Sequence, residues 1–370
     1  MKSFTALRAS LLLTFTFLIL SSYTAGQTTT PTPPIQEEDQ VVKVESRLVI
    51  VPVAVTNQAG DPVMGLTAKD FRLTEENAPQ IIDSVGNADT VPLEIALLID
   101  VSGSVNPLFE FEKKAAGQFL QTVMKPEDRA TIFLISDNPT PLLQSESAAL
   151  AAERLKGVVP VGKSTAFYDA TLAAAKYLRE KAPVRSLRVI VAITDGEDNW
   201  SEMVRDAETR TWKDEDLNRL TTKTLNQNAS KTDVAHQRAQ TKVSRELQDA
   251  DTVFYVINPA GTSIKLNKIS MRAQTGMEKF ANETGGTFFL PAFAPTSTKD
   301  PLLNAGNQKR NEATLDRIFK QLASDLRAQY LVQYYSESDY PANKFVKLSV
   351  ALQNPAGTRI RSRQGYYVKK

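Results

Sequence analysis

The clearest indication of the fold of this chain is the stretch Ile95–Ser104, IALLIDVSGS, in which an apolar run ends in an aspartate. An apolar run of this length, preceded by Pro92 and followed by turn residues, predicts a buried strand of an α/β sheet. Ligands of open α/β sheets bind at the carboxyl ends of such strands. Asp100, Ser102 and Ser104 place a carboxylate and two hydroxyls on one loop, and hard oxygen donors suit Mg²⁺, Mn²⁺ or Ca²⁺. The stretch therefore predicts a divalent-cation site.

Composition excludes several classes of function. The chain has 370 residues, of which 42% are hydrophobic, so it can bury a full core and is expected to hold two domains. Its 44 basic and 42 acidic residues leave a net charge of +2, which gives no support for a nucleic-acid-binding face. The lack of cysteine excludes disulfides and thiol catalysis. The single histidine, His236, argues against a histidine-based centre, and its polar surroundings predict an exposed side chain.

The N-terminal residues have the charged, apolar and small-residue order that is typical of a secretory signal peptide. Lys2 and Arg8 precede the uncharged stretch 11–20, and small and polar residues follow around Gly26. We therefore expect a signal peptide at 1–26 and an extended Thr/Pro-rich linker at 27–40. This predicts a secreted, periplasmic or cell-surface protein with no stable membrane span after cleavage. An uncleaved anchor is the alternative, although the apolar stretch is short for one.

Strand and helix patterns alternate between residues 91 and 328. This order predicts an α/β domain with a doubly wound, mostly parallel, Rossmann-like sheet and helices on both faces. The predicted strands are 94–100, 130–136, 187–194, 252–257 and 287–290, and the predicted helices are 109–124, 146–156, 165–179, 234–248, 277–283 and 312–327. A polar insertion at about 199–232 is expected to be a mobile surface loop or a recognition element, and 292–309 an exposed loop.

Alternating apolar residues predict strands on both sides of this domain. The segment 41–90 is β-rich, with valine at every second position from Val49 to Val55. The C-terminal segment 329–370 has strand patterns at 330–335, 345–352 and 365–368. We expect the two flanks to pair into one small β-sandwich-like lobe.

Two further loops complete the pattern that Asp100 begins. Thr165 opens a predicted helix in GKSTA, and Asp195 closes a predicted strand in ITDG. A D-x-S-x-S loop, a threonine and a second aspartate in this order resemble the metal-ion-dependent adhesion site of von Willebrand factor type A domains, over about residues 91–290. The flanking stretches 65–71 and 363–367 are similar to those of secreted bacterial proteins that carry such a domain.

The resemblance implies a metal centre formed by Asp100, Ser102, Ser104, Thr165 and Asp195. The implied cofactor is a divalent cation, Mg²⁺ first with Mn²⁺ or Ca²⁺ as alternatives, and the implied partner is a protein that presents an Asp or Glu carboxylate. Because neutral hydroxyls add no charge, the ion stays electrophilic enough to accept such a group. No histidine, cysteine or perturbed lysine accompanies the motif, which favours binding over catalysis. We expect a non-enzymatic adhesion or assembly module.

Two other interpretations stay open. The stretch Gly157–Ser164 fits the P-loop pattern G-x-x-x-x-G-K-[ST] of nucleotide hydrolases, but it follows a helical pattern where a P-loop would follow a strand. A structural module of the cell envelope with a vestigial metal site is the second alternative. Near the motif, Glu197 and Asp198 are expected to be solvated or to surround the ion-binding residues, and Asp169 to stabilise the N-terminus of its helix.

Overall fold

The computed structural model describes residues 46–102, 109–161, 164–211, 222–259, 261, 267–296 and 298–369, with the backbone alone for 208–211 and 222–230. The expected signal peptide, the linker and the first residues of the β-rich flank lie outside these residues, as do Gly103, Ser104 and Lys163. The described part of the chain from residue 46 onward belongs to one compact unit.

The described strands form one sheet of six strands and two sheets of four. In chain order they are β1 (Arg47–Asn57), β2 (Phe71–Glu75), β3 (Ala78–Gln80), β4 (Ser84–Asn87), β5 (Leu93–Asp100), β6 (Arg129–Ile135), β7 (Pro141–Glu146), β8 (Leu187–Ile193), β9 (Thr252–Ile257), β10 (Phe288–Phe289), β11 (Tyr330–Ser336), β12 (Phe345–Leu352), β13 (Thr358–Ser362) and β14 (Gly365–Tyr367).

The six-stranded sheet has the order β10-β9-β8-β5-β6-β7, and within it β7 runs antiparallel to β6 while the other pairs are parallel. At the centre of the sheet, β5 has Ile99 opposite Ile193 of β8 and Leu134 of β6. Along β5, Leu97 and Ile99 join the core on one face of the sheet, whereas Ala96 and Leu98 join the core on the other. Burial on both faces explains why the strand is continuously apolar instead of alternating.

Helices cover both faces of this sheet. They are α1 (Phe109–Val123), α2 (Ala148–Lys156), α3 (Phe167–Lys181), α4 (Glu202–Thr211), α5 (Thr222–Asp249), α6 (Lys268–Thr284) and α7 (Pro301–Arg327), with 3-10 turns at Ala68–Asp70 and Ala88–Thr90. Helices α1, α2 and α7 pack on one face, and α3, α5 and α6 on the other. The predicted doubly wound α/β fold is confirmed. None of the described helices is long and apolar enough to cross a lipid bilayer.

The two flanks of the α/β domain form a β-sandwich. One sheet has the order β13-β1-β11-β4 and the other β14-β12-β2-β3, so both combine N-terminal with C-terminal strands. Val51 lies opposite Val332 in the first sheet, and Leu73 lies opposite Val350 in the second. Their inward side chains share one apolar core. The expected pairing of the flanks is confirmed, and the residue boundaries between the domains stay a prediction.

Several segments differ from the sequence expectation. The described part of the polar insertion is largely helical: α4 and α5 contact each other, and Val204 of α4 is fully buried in the core. The expected loop at 292–309 ends early, since Asp300 accepts hydrogen bonds from the N–H groups of Leu302 and Leu303 and Pro301 follows it, which together start α7. The half-exposed edge strands β7 and β13 were not expected, because their apolar pattern is weak.

Candidate metal centre

Asp100 is the last residue of β5, and hydroxyl groups hold its carboxylate. Its Oδ1 accepts hydrogen bonds from the backbone N–H of Ser102 at 3.0 Å and from the Ser102 hydroxyl at 2.5 Å. Its Oδ2 accepts a hydrogen bond from the Thr194 hydroxyl at 2.6 Å. Partial burial raises the pKa of Asp100, and the hydrogen bonds from Ser102 and Thr194 oppose that rise. Ser104, the third predicted donor on this loop, lies outside the described residues.

Asp195 follows β8, the strand next to β5. Since Ile99 and Ile193 are paired across these parallel strands, Asp100 and Asp195 emerge at the same edge of the sheet. Burial raises the pKa of Asp195 to about 6; the negative charges of Asp100 and Glu197 add to the rise, and the backbone N–H of Glu197 opposes it at 3.0 Å. The structure therefore brings the two predicted aspartates together.

Gly196 and Thr194 hold the loop on either side of Asp195. Gly196 has a φ of +75°, and a Cβ at this position would lie 2.5 Å from Sδ of Met277, so the site requires glycine for both its backbone conformation and its lack of a side chain. The Thr194 hydroxyl accepts a hydrogen bond from the Gly196 N–H at 3.0 Å while it donates to Asp100. Thr194, which the sequence motif does not include, thus joins the two aspartate loops.

Thr165 lies just before α3 and is connected to the Asp195 loop. Its backbone N–H donates to Asn199 Oδ1 at 2.9 Å, and its carbonyl accepts from the backbone N–H groups of Asn199 and Trp200 at 3.0 and 3.1 Å. Thr165 is 7% exposed. The predicted threonine and the second predicted aspartate therefore belong to one hydrogen-bonded loop cluster.

Glu112, on the first turn of α1, is a carboxylate near the centre that the sequence analysis missed. Its side chain is buried, and burial together with the negative charges of Asp100 and Asp195 raises its pKa to about 7. Glu112 could have been noticed in the sequence, because within Phe109–Phe119 it is an acidic residue at a position where the helical pattern predicts an apolar one. Glu112 adds a third acidic group to the electrostatics of this edge.

The donors at this edge fit a divalent cation. Among the ion pairs of the described residues, none involves Asp100 or Asp195. The same part of the chain contains no group of three or more His, Cys, Asp or Glu side chains arranged to hold a metal. Two carboxylates with hydroxyls from serine and threonine are nevertheless the oxygen donors that hard cations take. A bound cation would neutralise the negative charge of Asp100 and Asp195, which form no ion pair among the described residues.

Asp198 stabilises the loops behind the centre. It is buried, and its carboxylate accepts hydrogen bonds from the N–H groups of Tyr168, Trp200 and Ser201 and from the Ser201 hydroxyl at 2.6–3.3 Å. Of the two alternatives expected for Asp198, the solvated one is wrong, because the N-termini of α3 and α4 converge on it; a place behind the ion-binding residues is the alternative that remains. Glu197 is half-buried and accepts a hydrogen bond from the Ser270 hydroxyl at 2.5 Å.

The expectation of an exposed His236 is also wrong. The side chain is 2% exposed and its Nδ1 lies 3.3 Å from the Tyr168 hydroxyl. Burial and the positive charge of Arg272 together lower the pKa of His236 to about 4, against the opposing effect of Asp233. The histidine therefore supports α3 as a neutral side chain. Asp169 accepts a hydrogen bond from the Glu202 N–H at 2.8 Å, a structural role at the start of α4.

The stretch that resembles a P-loop does not follow a strand. Gly157 is the residue after α2, and its N–H donates to the carbonyls of Arg154 and Leu155, as at an ordinary helix C-terminus. A phosphate-binding loop would connect a strand directly to a helix. Gly162 and Lys163 lie outside the described residues. The geometry before them disfavours nucleotide binding here.

Comparison with known proteins identifies the domain that carries these loops. Residues 95–197 match the sequence model of the von Willebrand factor type A domain. No curated protein sequence matches the chain significantly.

Solved structures with a related arrangement are distant in sequence. A von Willebrand factor type A protein from Catenulispora acidiphila is 11% identical, with a TM-score of 0.39 over 88% of this chain and 75% of that one. An aerotolerance-related membrane protein from Bacteroides fragilis is 16% identical, with a TM-score of 0.34 over 61% and 99% of the two chains. Proximal thread matrix protein 1 from the mussel byssus, with a zinc-occupied MIDAS motif, is 13% identical, with a TM-score of 0.40 over 69% of this chain and half of that one. At these scores, the structures add nothing to what the sequence match shows.

Proposed function

This chain contains a von Willebrand factor type A domain, a protein-interaction module, and we propose that it binds an acidic group of a protein partner through a divalent cation. The proposed ligands are Asp100, Ser102, Ser104, Thr165 and Asp195. The observation that carries the proposal is a pair of partly buried aspartates at the ends of adjacent strands, with no ion-pair partner among the described residues.

The chain's own residues prepare such a site. Thr194 and Ser102 orient the Asp100 carboxylate, and Asn199 holds Thr165 against the Asp195 loop. A bound Mg²⁺ would supply a Lewis acid that takes a carboxylate oxygen in place of a water. Among the described residues of the centre, no hydroxyl is paired with a histidine or lysine that could act as its base, and we propose binding and not catalysis.

Calorimetric titration of the mature chain with Mg²⁺, Mn²⁺ and Ca²⁺ tests the ion-binding part of the proposal. Wild type should bind at least one of these ions, and Asp100→Ala should lose that binding while keeping its circular dichroism spectrum. Asp137→Ala is the matched control, because Asp137 is an exposed carboxylate just after β6, near the same edge of the sheet. No ion binding by wild type would favour the alternative of a structural module with a vestigial site.

The partner and the compartment need separate tests. Immobilised chain should capture its partner in Mg²⁺ and release it in EDTA, and Asp100→Ala should capture none. Titration with ATP should give no heat, whereas ATP binding would revive the P-loop interpretation. We also propose a location outside the cytoplasm from the pattern of residues 1–26. Fractionation of cells that express the full chain, with N-terminal sequencing of the product, checks it.

A further inference from the structure

Five large apolar side chains are exposed on segments that adjoin the loops of the proposed cation centre. They are Val159, Val161, Trp200, Ile269 and Met271, with exposed fractions from 38% for Trp200 to 64% for Val159. A concentration of exposed apolar surface at one place is typical of an interaction surface. We call these five side chains the apolar rim.

Two parts of the apolar rim are attached directly to the ion-binding loops. The N–H of Val161 donates to the carbonyl of Val101, the residue after Asp100, at 2.8 Å. The N–H of Trp200 donates to the carbonyl of Thr165 at 3.1 Å. These backbone hydrogen bonds hold Val161 and Trp200 beside two of the loops that would bind the ion.

The third part of the apolar rim is the start of α6. Ser270 donates its hydroxyl hydrogen to Glu197 Oε1 at 2.5 Å, which ties this helix end to the loop of Asp195. Ile269 and Met271 precede and follow Ser270, and both are 48% exposed. The rim therefore approaches the centre from three separate segments of the chain.

The described charged side chains beside the apolar rim are of both signs. Lys268 and Arg272 both form ion pairs with Asp233, at 2.5 and 2.9 Å. Glu197 is half-buried beside the centre, and Glu202 is exposed at the start of α4. Arg205 lies over the ring of Trp200, 5.5 Å from its centroid, and offsets these acidic groups. The described charges therefore give an acidic run on a partner no advantage over a single carboxylate that the ion takes.

We propose that the group bound at this centre is one Asp or Glu flanked by apolar side chains, not part of an acidic run. The inference rests on the proposed function, because the ion takes the carboxylate while the apolar rim takes its neighbours. Burial of apolar surface against the rim supplies affinity that a single carboxylate lacks, whereas a polyacidic segment would leave this apolar surface uncovered.

Four immobilised peptides, each with and without EDTA, test this proposal. One has a central Glu flanked by Leu and Phe, one a central Glu flanked by Ser, one a central Glu flanked by Asp, and one a central Gln flanked by Leu and Phe. In Mg²⁺ the first should retain the chain about tenfold better than the second or third, and the fourth should show no dependence on Mg²⁺. Equal or stronger Mg²⁺-dependent binding of the Ser- or Asp-flanked peptide would overturn the inference and leave the proposed function standing.

The remaining outcomes are also decisive. A chain that binds Mg²⁺ calorimetrically but retains none of the peptides would overturn the inference, and a chain that binds neither Mg²⁺ nor peptide would overturn the proposed function. Val161→Ser and Met271→Ser should each weaken the first peptide about fivefold with unchanged Mg²⁺ affinity, because each removes rim surface only. Val184→Ser is the matched control, since Val184 is 92% exposed in the turn between α3 and β8, at the other end of the strands.

Discussion

Asp195 and Glu112 are the residues through which pH should act on the centre. Their pKa values of about 6 and about 7 exceed the ordinary 3.8 and 4.5, chiefly because of burial. An ion must bind the deprotonated carboxylate of Asp195, and an ionised Glu112 increases the attraction, so Mg²⁺ affinity should rise between about pH 5 and pH 8. Calorimetric titrations across this range check it, and a flat affinity profile would contradict it.

The raised pKa of Glu112 acts on stability in the opposite direction. A carboxyl whose pKa is higher in the folded chain stabilises it below the unfolded pKa, and this contribution is lost as the pH rises through the folded value. In EDTA, the melting temperature of wild type should therefore fall between about pH 4.5 and pH 7.5 more steeply than that of Glu112→Gln, because the glutamine has no proton to release. Parallel curves for the two proteins would show that Glu112 has an ordinary pKa.

His236 gives a second prediction at the residue scale, and it has a clean signal because the chain has one histidine. With a pKa of about 4 in the folded chain against 6.5 as its ordinary value, the imidazole should stay neutral down to about pH 5. Stability should fall as the pH drops from about 6.5 towards 4, by up to about 3 kcal/mol. NMR titration of the single imidazole measures it, and a midpoint near 6.5 in the folded protein would refute the burial of this side chain.

At the scale of elements, the helices α4 and α5 decide how the polar insertion is built. Helix α5 has 28 residues, which corresponds to roughly 42 Å, about twice the length of a six-residue strand. Its C-terminal half packs on the sheet through Ala239, Val243 and Leu247, and α4 contacts it. Among the residues of this region whose side chains the structure describes, Val204 and residues from Ala235 onward lie in the core.

Replacing residues 206–231 by a short Gly/Ser linker should leave the folded domain and its ion binding intact, because it keeps Val204 and the core residues from Ala235 onward. We expect Mg²⁺ affinity within about twofold of wild type, because Asp198 and Asn199 still hold the loops of the centre. Asp198→Ala is the contrast, and it should cost about 2 kcal/mol of stability since it leaves buried N–H groups unpaired. Partner capture by the linker variant decides the role of the insertion, because unchanged capture would remove it as a recognition element.

At the scale of the whole molecule, a buried polar cluster joins the two sheets of the β-sandwich. Glu75 of β2 is fully buried and accepts hydrogen bonds from the hydroxyls of Tyr334, Ser336 and Tyr366 at 2.6–3.0 Å. Tyr334 and Ser336 lie in the sheet of β1, whereas Glu75 and Tyr366 lie in the other. The cluster therefore holds chain segments together that are more than 250 residues apart.

Glu75→Ala should destabilise the molecule by about 2–4 kcal/mol, because three buried hydroxyls lose their acceptor. Tyr366→Phe removes one of these hydrogen bonds and should cost about 1 kcal/mol. Glu337→Ala is the control, since Glu337 is exposed beside Ser336 and its loss should change stability by less than about 0.5 kcal/mol. Urea unfolding of the three variants measures these differences, and a Glu75→Ala value equal to the control would contradict the role of the cluster.

Local pattern was enough to predict the class of fold and two of the loops at the edge where the proposed cation centre lies. The strand that ends at Asp100 could be predicted because a strand buried on both faces needs an unbroken apolar run. Such a run is recognised from neighbouring residues alone. The helices α5 and α7 were predicted too short, because their N-terminal halves are polar and have little apolar periodicity. The predicted roles of Ser104 and of the N-terminal 45 residues stay predictions, since they lie outside the described residues.

From the residues alone one can predict the order of strands and helices and the pairing of the segments 41–90 and 329–370. The presence of Asp100, Thr165 and Asp195 on successive loops can be predicted in the same way. Two features became known only from the folded structure: Glu112 lies near two aspartates, and His236 is buried against Tyr168, 68 residues away in the chain. The physical reason is that periodicity is a property of neighbouring residues, whereas the burial of a polar side chain depends on whatever distant segment packs over it.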